Sequence, residues 1–272
     1  MTIEQIIAIA VVQGITEFLP ISSSGHLLIL PVLTGWQDQG LATDVMVHVG
    51  SLAAIVAYFW RDVVMLAGGT LDLVRFRMST PARLALYILL GTIPAVFFAL
   101  VLKATGLLEV LRNDAVLKLQ VVAWNAIIFG VLLYLADRFG SRRKIAEELT
   151  LSPAIVIGLS QALALIPGTS RSGITMTAAR AMGFQRPEAA RFSFLLGMPA
   201  IAGAGLLTFL EAQESGQAIT PDQWWAAAFS FLASLAAIAF LMAVVKRMSF
   251  LPFVIYRLLL GGVLLLMASG MQ

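Results

Sequence analysis

Two short segments of this chain carry polar residues whose types and spacing suit phosphate chemistry, although both are surrounded by apolar residues. EFLPISSSGHLL, at residues 17–28, holds a carboxylate, three serine hydroxyls and an imidazole beside a proline. LIPGTSRSGIT, at residues 165–175, holds Arg171 among serines and glycines. Helix N-termini with free N–H groups bind phosphate, and a guanidinium is a planar fork that matches phosphate oxygens. If the two segments met, their side chains could make or break a phosphoryl bond.

These polar residues are expected to lie inside a membrane. The chain has 272 residues, of which 60% are hydrophobic and only 12% are charged, whereas a soluble domain has about 25% charged residues. A charged side chain at the bilayer centre costs about 2.5–3.5 kcal/mol, so such residues are retained for pairing or for function. The absence of cysteine excludes disulfides and thiolate chemistry. The N-terminus has no basic region or small-residue cleavage site and is interpreted as mature protein.

The apolar pattern predicts an all-α polytopic membrane protein with two kinds of helical segment. Six stretches are long enough to cross a bilayer, at residues 43–60, 84–102, 119–137, 192–210, 224–245 and 253–269. Two others are interrupted, 3–19 with 26–34 and 153–166 with 174–183. Each interrupted pair predicts a broken helix that enters and returns on the same side. Such re-entrant tips must be surrounded by protein or a wet cavity, because lipid cannot satisfy exposed backbone groups.

The two halves of the chain are related at an offset of 148 residues. This offset superposes Gln13 on Gln161, Ser22 on Ser170, Ser24 on Ser172 and Gly25 on Gly173. Each half then contains one broken pair and three crossings, so the second half begins on the opposite side. This order predicts an inverted repeat whose tips meet near the midplane. The predicted parts are a first repeat over 1–139, a cytoplasmic linker over 140–152 and a second repeat over 153–272, within one membrane domain.

Loop charge predicts the orientation, because cytoplasmic loops collect lysine and arginine. Only Lys103, Arg112 and Lys118 lie on the side of the N-terminus. The opposite side collects Arg61, Arg75, Arg77, Arg83, Arg138, Arg142, Arg143, Lys144, Arg180, Arg186, Arg191, Lys246 and Arg247. That side is therefore expected to be cytoplasmic, and the first hairpin is entered from the outer face. Arg257, near the cytoplasmic end of the last span, is expected to snorkel.

The motifs QGITEFLPISSSGH (13–26) and PGTSRSG (167–173) resemble those of the undecaprenyl-diphosphate phosphatase family, which is also known for bacitracin resistance. The similarity continues through HVGSLAAIVAYF (48–59), GTIPA (91–95), FSFLLGMPA (192–200) and FVIYR (253–257), and covers essentially the whole chain. The resemblance implies hydrolysis of undecaprenyl diphosphate to undecaprenyl phosphate and phosphate, which recycles the lipid carrier of cell-wall synthesis. It also implies the bacterial cytoplasmic (inner) membrane, and the orientation predicted from the loop charges then opens the active site to the periplasmic face.

The resemblance further implies roles for the tip residues. Glu17, Ser23, His26 and Arg171 are expected to be catalytic, with Ser23 as candidate nucleophile and Arg171 as clamp on the diphosphate. Glu17 and Gln13 are expected to hold a divalent metal, Mg²⁺ or Ca²⁺. The expected substrate-binding residues are Gln13, Ser22, Ser24, Gly25, Thr169, Ser170, Ser172 and Gly173. The expected partners are a polyprenyl diphosphate lipid and the bilayer, with no nucleic acid; a homodimer is left open.

The residues themselves leave several alternatives open. Broken helices in an inverted repeat are also a transporter architecture, so a transporter or flippase of polyprenyl phosphate lipids is the alternative function. Serine and glycine in apolar helices often serve close packing only, and Glu17 could pair with Arg171 without a catalytic role. The attacking group could be Ser23, His26 or an activated water. His48, one turn after Asp44, is interpreted as a polar position on a helix surface or as an indirect contributor.

Overall fold

The computed structural model describes residues 1–37, 39–106, 114–141, 144–145, 149–214 and 219–271. Within these ranges the elements are helices, apart from one isolated bridge between Lys144 and Phe184, which confirms the predicted all-α class. In chain order the helices are α1 Ile3–Phe18, α2 Ser23–Thr34, α3 Leu41–Tyr58, α4 Trp60–Val74, α5 Thr80–Thr105, α6 Ala115–Phe139, α7 Leu151–Ala162, α8 Arg171–Ala181, α9 Arg186–Glu214, α10 Pro221–Val245 and α11 Leu251–Gly270.

Among the described residues, five helices are long and apolar enough to cross a membrane, namely α5, α6, α9, α10 and α11. Helices α3 and α4 pass the same test together and are bent by 89° relative to each other. The predicted number of six spans is therefore reached when this bent pair is counted as one span. Helix α4 was not expected, because Arg61, Asp62 and Asp72 interrupt the apolar pattern and indicate a loop.

The first interrupted segment folds as a hairpin of α1 and α2. Helix α1 ends at Phe18, two residues before Pro20, whose ring nitrogen has no hydrogen to donate. The two helices run antiparallel, because Met1 and Gln5 line one cavity together with Leu30 and Pro31. The hairpin therefore begins and ends on the same side, as predicted.

The second interrupted segment forms a corresponding hairpin of α7 and α8, with one 3₁₀ turn at Leu163–Leu165 after α7. The linker that precedes α7 contacts the chain just after α8, where the Lys144 N–H donates to the Gly183 carbonyl (3.1 Å) and the Gln185 N–H donates to the Lys144 carbonyl (3.0 Å). This hairpin also returns to the side on which it began.

The two tips have the same local geometry. Ser22 and Ser170 are the N-caps of α2 and α8, with φ of 79° and 73°, and each hydroxyl accepts a hydrogen bond from the N–H of the glycine three residues later. In the described chain, Phe76 is the other non-glycine residue with positive φ, a conformation that is uncommon for side-chain-bearing residues. The shared conformation supports the offset of 148 residues between the repeats.

The tips meet, as the inverted repeat requires. The Ser172 hydroxyl of the second tip donates to the Leu19 carbonyl of the first at 3.1 Å. The tips pack closely, since a Cβ added to Gly25 would lie 3.3 Å from the Cα of Gly168. The contact between the tips of the two hairpins is therefore a property of the fold, whereas its position at the membrane midplane stays a prediction.

The expectation that Arg257 snorkels is wrong, because its side chain is completely buried. Its guanidinium donates hydrogen bonds to carbonyl oxygens at the two tips and on α6, at 3.0–3.1 Å, namely those of Pro20, Gly168, Thr169, Asn125 and Ala126. Helix breaks leave carbonyl groups without intrahelical donors, and a guanidinium has five N–H groups in a fixed fork. These hydrogen bonds of Arg257 therefore connect both tips to α6 and α11.

Contacts at the helix ends agree with the predicted order of crossings. Asp137, at the end of α6, accepts hydrogen bonds from Arg180, Arg186 and the Phe250 N–H. On the opposite side the N-terminal ammonium pairs with Asp222 at 3.3 Å. The repeat boundaries and the sidedness stay predictions. Arg112, Arg142 and Arg143, which enter the orientation argument, and linker residues 146–148 lie outside the described residues.

Candidate active site

An open cavity of about 440 Å³ lies where the two tips meet, between α3 and α9. Of the described residues, the polar ones that line it are Glu17, Ser23, Ser24, Asp44, His48, Gln161, Ser170 and Arg171. The remaining lining residues are Val45, Ala95, Ala164, Leu165, Ala200, Ile201, Ala204 and Gly205. The cavity therefore combines both signs of charge with hydroxyl groups and an apolar wall.

Glu17 is the centre of the hydrogen bonding in this cavity. Its Oε1 accepts a hydrogen bond from Arg171 Nη2 at 2.8 Å, and its Oε2 accepts one from Ser23 Oγ at 2.5 Å. Gln13 Nε2 also donates to Oε2, at 3.2 Å. The carboxylate is only 6% exposed, so these three donors replace the water that a free carboxylate would bind.

Arg171 is held by a second contact on α9. Its Nη1 donates to the Ser193 carbonyl at 2.9 Å. The guanidinium lies directly against Gly197, where an added Cβ would overlap Nη1 and Cζ. Only a residue without a side chain leaves this space, so Gly197 is part of the site although its type carries no chemistry.

Ser23 and Arg171 occupy equivalent positions in the two repeats, since they differ by the offset of 148 residues. Each is the first residue of the returning helix of its hairpin, α2 or α8. Because the preceding N-caps share one backbone conformation, the two side chains project from equivalent places and converge on Glu17. The second repeat has Leu165 where the first has Glu17, so the pseudo-symmetric site contains a single carboxylate at its centre.

Several residues expected to bind substrate make contacts that shape the tips, and their substrate-binding role stays a prediction. The N–H groups of Gly25 and Gly173 are occupied by the hydroxyls of Ser22 and Ser170, at 3.3 and 3.0 Å. A Cβ at Gly173 would lie 3.0 Å from Arg257 Nη1, so the glycine permits close packing. Of the expected site residues, those that do not line the cavity are Gln13, Ser22, Gly25, His26, Thr169, Ser172 and Gly173.

His26 faces a different neighbour from the other expected catalytic residues. Its Nδ1 lies 2.6 Å from the Ser22 carbonyl, and its Nε2 lies 2.7 Å from the Tyr256 hydroxyl. The imidazole also stacks on the Tyr256 ring, with centroids 5.8 Å apart. In this arrangement His26 holds the N-cap of the first tip and is separate from the cavity lining.

His48 was not among the predicted site residues, but the structure places it beside Glu17. Its Nε2 lies 3.7 Å from Glu17 Oε2, and its Nδ1 lies 2.6 Å from the Asp44 carbonyl. The backbone contact orients the ring so that Nε2 faces the carboxylate. His48 could have been predicted as a site residue, because an ionisable residue within an apolar span indicates a functional site in membrane proteins.

Gln161, like Asp44 and His48, lines the cavity but was not among the predicted site residues. It is only 2% exposed, yet neither Oε1 nor Nε2 has a hydrogen-bond partner among the described residues. A buried amide without partners is costly. Its equivalence to Gln13 at the repeat offset was the signal that could have identified it.

The contacts of Glu17 and Gln13 do not favour the metal site expected on these two residues. The amide Nε2 of Gln13 faces Glu17 as a donor, and the carboxylate already accepts hydrogen bonds from Arg171 and Ser23. Over the described residues, no group of three or more His, Cys, Asp or Glu converges as metal ligands. These side chains do not fit a metal site formed by protein groups alone. Mg²⁺ is usually bound by one or two carboxylates together with substrate phosphates, so the ion stays a prediction that depends on the substrate.

Comparison with known proteins gives consistent results over nearly the full length. The family model described as bacitracin resistance protein BacA matches residues 6–263. An undecaprenyl-diphosphatase of Jannaschia sp. (strain CCS1) is 48% identical over 270 residues, which cover 98% of this chain and 99% of that protein. An undecaprenyl-diphosphatase of Roseobacter denitrificans (strain ATCC 33942 / OCh 114) is 47% identical over 272 residues, which cover 98% of this chain and 99% of that protein. An undecaprenyl-diphosphatase of Alteromonas mediterranea is 48% identical over 270 residues, which cover 97% of this chain and 98% of that protein.

Proposed function

This chain belongs to the bacitracin resistance protein BacA family, and on that premise we propose that it hydrolyses undecaprenyl diphosphate to undecaprenyl phosphate and phosphate. The reaction recycles the lipid carrier of cell-wall synthesis and accounts for bacitracin resistance. The observation that carries the proposal is the contact of Glu17 with both Ser23 and Arg171 in one cavity of a multi-pass membrane protein. The relatives are named for hydrolysis of this diphosphate, which does not favour the alternative of a flippase.

The diphosphate group binds where positive potential and hydrogen-bond donors converge. Arg171 supplies the planar fork for phosphate oxygens, and the N-termini of α2 and α8 direct their dipoles to the same place. Ser24 and Ser170 supply hydroxyl donors from the two tips, and the amide of Gln161 gains a partner that it lacks without substrate. Phosphate transfer depends mainly on positioning and charge neutralisation, which these groups provide.

Ser23 is the nucleophile in the proposed reaction, and Glu17 is its base. The Ser23 hydroxyl donates its proton to Glu17 Oε2 as Oγ forms a bond to the terminal phosphorus. The bond between that phosphorus and the bridging oxygen breaks, and undecaprenyl phosphate leaves. Glu17 then loses this proton, and water attacks the phosphoserine and transfers a proton to Glu17. The bond between phosphorus and Oγ breaks, Ser23 Oγ takes that proton from Glu17, and inorganic phosphate leaves.

Arg171 and His48 assist this transfer from the two sides of Glu17. Arg171 stabilises the charge that develops on the phosphoryl oxygens, a contribution of the kind that oxyanion donors make. His48, with Nε2 3.7 Å from the carboxylate, can accept the proton that Glu17 must lose before water attacks the phosphoserine. His26 stays a predicted acid–base residue, and its contact with the Ser22 carbonyl supports a positioning role for it.

A divalent cation, Mg²⁺ or Ca²⁺, is proposed to arrive with the diphosphate rather than to reside in the protein. When bound, it would neutralise charge on the phosphate oxygens, and Glu17 and Asp44 are the carboxylates that line the cavity. The proposed location is the cytoplasmic (inner) membrane with the cavity open to the periplasmic face. Asp44 and His48, near the start of α3, lie toward the side of the N-terminus, which the loop charges predict to be outside. A homodimer remains a prediction.

Phosphate release by the purified protein in detergent tests the proposal. Wild-type protein should release phosphate from undecaprenyl diphosphate, and Glu17→Gln and Arg171→Lys should each lower kcat by about 10²–10³-fold, the scale of a lost transition-state donor. Glu4→Gln, an exposed change on the same helix α1, is the control and should retain activity. Full activity in both Glu17→Gln and Arg171→Lys would reject the proposed site.

A further inference from the structure

A second cavity adjoins the first, and its lining is apolar. It has a volume of about 280 Å³ and lies between α3, α9 and the start of α10. The residues that line it are Ala42, Val45, Met46, Val49, Gly205, Leu206, Phe209, Ile219 and Trp224. We call this cavity the apolar groove. We propose that it binds the isoprenoid chain of the diphosphate substrate next to the headgroup, an inference that rests on the proposed function.

The apolar groove and the active-site cavity share part of their walls. Val45 of α3 and Gly205 of α9 line both. On α3, Ala42, Met46 and Val49 share a helical face with Val45, because residues three and four apart lie next to each other on a helix. Asp44 and His48 lie on the other side of Val45 and face the active-site cavity. One helix therefore separates a charged surface from an apolar one along a single line.

Helix α9 makes the same division. Ala200, Ile201 and Ala204 line the active-site cavity, whereas Leu206 and Phe209 line the apolar groove, with Gly205 between them. Gly205 has no side chain, so α9 approaches α3 closely at the boundary. A Cβ there would lie 3.4 Å from Val49 Cγ2.

This arrangement matches the chemistry of a prenyl diphosphate. Such a molecule has a polyanionic head joined directly to a long linear series of methyl-branched isoprene units. A head held by Arg171 places the first units at the shared wall of Val45 and Gly205. The groove, at about 280 Å³, is smaller than the 300–1,000 Å³ of typical ligand pockets. It therefore accommodates only the units nearest the head. Leu206 and Trp224, each 59% exposed, leave its outer edge open, so the rest of the chain can extend into the bilayer.

The groove predicts that the enzyme distinguishes substrates by the chain next to the diphosphate. Without the groove, isopentenyl diphosphate and undecaprenyl diphosphate would differ only by partition into the detergent micelle. With it, the longer substrate gains contacts that the five-carbon one cannot make. Obstruction of the groove should therefore affect the two substrates unequally.

Gly205→Leu and Gly203→Leu form a matched pair that tests this prediction. Both glycines lie on α9, but a Cβ at Gly203 would meet no described atom within 4 Å. The ratio of kcat/KM for undecaprenyl diphosphate to that for isopentenyl diphosphate should fall about tenfold or more in Gly205→Leu, the scale of a lost apolar contact. Gly203→Leu should leave the ratio unchanged. Val49→Phe, which obstructs the groove at a residue absent from the polar cavity lining, should lower the ratio as Gly205→Leu does.

Binding without turnover separates the failure of this inference from that of the proposed function. Undecaprenyl phosphate should raise the melting temperature of wild-type protein more than an equal concentration of dioleoyl phosphatidic acid, and Gly205→Leu should abolish the difference. An equal shift by the two lipids would overturn the inference in favour of a general lipid surface, as would an unchanged substrate ratio in Gly205→Leu and Val49→Phe. A wild-type protein that releases no phosphate from either diphosphate would instead reject the proposed function.

Discussion

Arg171 and Glu17 form an ion pair of 2.8 Å, although 154 residues separate them in the chain. Each belongs to a different hairpin, and each hairpin enters from a different side of the fold. Neither hairpin alone therefore contains both the carboxylate and the guanidinium of the pair. The side chain of Arg171 is 13% exposed and that of Glu17 is 6% exposed, so the charges are screened less than in water.

Ser23 and Ser24 are adjacent serines with different surroundings, and their alanine variants should behave differently. Ser23 Oγ donates to Glu17 Oε2 at 2.5 Å, whereas Ser24 Oγ lies 3.4 Å from the Ser22 hydroxyl. Ser23→Ala should lower kcat by about 10³-fold or more, because it removes the proposed nucleophile. Ser24→Ala should mainly raise KM, by about tenfold, because it removes one neutral hydrogen bond to the substrate. Steady-state phosphate release measures both, and equal kcat values in the two variants would contradict the assignment.

Gly197→Ala should inactivate the enzyme although it adds only one methyl group. The new Cβ would overlap the guanidinium of Arg171, so the side chain would have to leave Glu17 and the Ser193 carbonyl. The expected loss in kcat/KM is about 10²-fold, the scale at which small misplacement affects catalysis. Gly203→Ala, on the same helix with open space around it, is the control for helix propensity. Similar activity in the two variants would show that Arg171 does not need this position.

Gln161→Leu should separate stability from activity. The amide has no described partner in its buried position, so leucine should leave the melting temperature unchanged or raise it, since removing an unsatisfied polar group is favourable. The KM for undecaprenyl diphosphate should rise about tenfold, because the substrate loses a buried donor. Gln13→Leu is the matched comparison at the equivalent position. It removes a hydrogen bond to Glu17 and should lower kcat. A Gln161→Leu variant with unchanged KM would remove Gln161 from the substrate site.

Arg257→Met should destabilise the protein and reduce its activity together. The substitution leaves the tip carbonyls of Pro20, Gly168 and Thr169 without their donor, at a cost of about 1–3 kcal/mol for each unsatisfied group. Arg257→Lys should recover only part of this loss, because an ammonium lacks the planar fork. Melting temperature and phosphate release in detergent measure the two effects. The exposed Arg83→Met is the control, and equal melting temperatures in Arg257→Met and Arg83→Met would contradict the structural role.

Local sequence signals were sufficient for most of the helices and for three of the residues that meet in the cavity. Pro20 and the Pro167–Gly173 segment marked the two breaks, and the apolar lengths marked the spans. Glu17, Ser23 and Arg171 were recognised because charged and hydroxyl residues at helix breaks within apolar segments are costly without a use. Helix α4 was missed because its charged residues resemble those of a loop, and its packing against α5 is not visible in a local pattern.

The amino-acid sequence by itself determined that this is an all-helical membrane protein with two broken hairpins, and which polar residues those breaks carry. Hydrophobic length, helix breakers and residue type act locally, so they can be read from neighbouring residues. Only the tertiary structure decided that His48 and Gln161 join Glu17, that His26 faces Tyr256, and that Arg257 is buried beneath both tips. These contacts depend on how distant helices pack. The direction of a side chain in such a contact follows from its partner's position, which no local pattern contains.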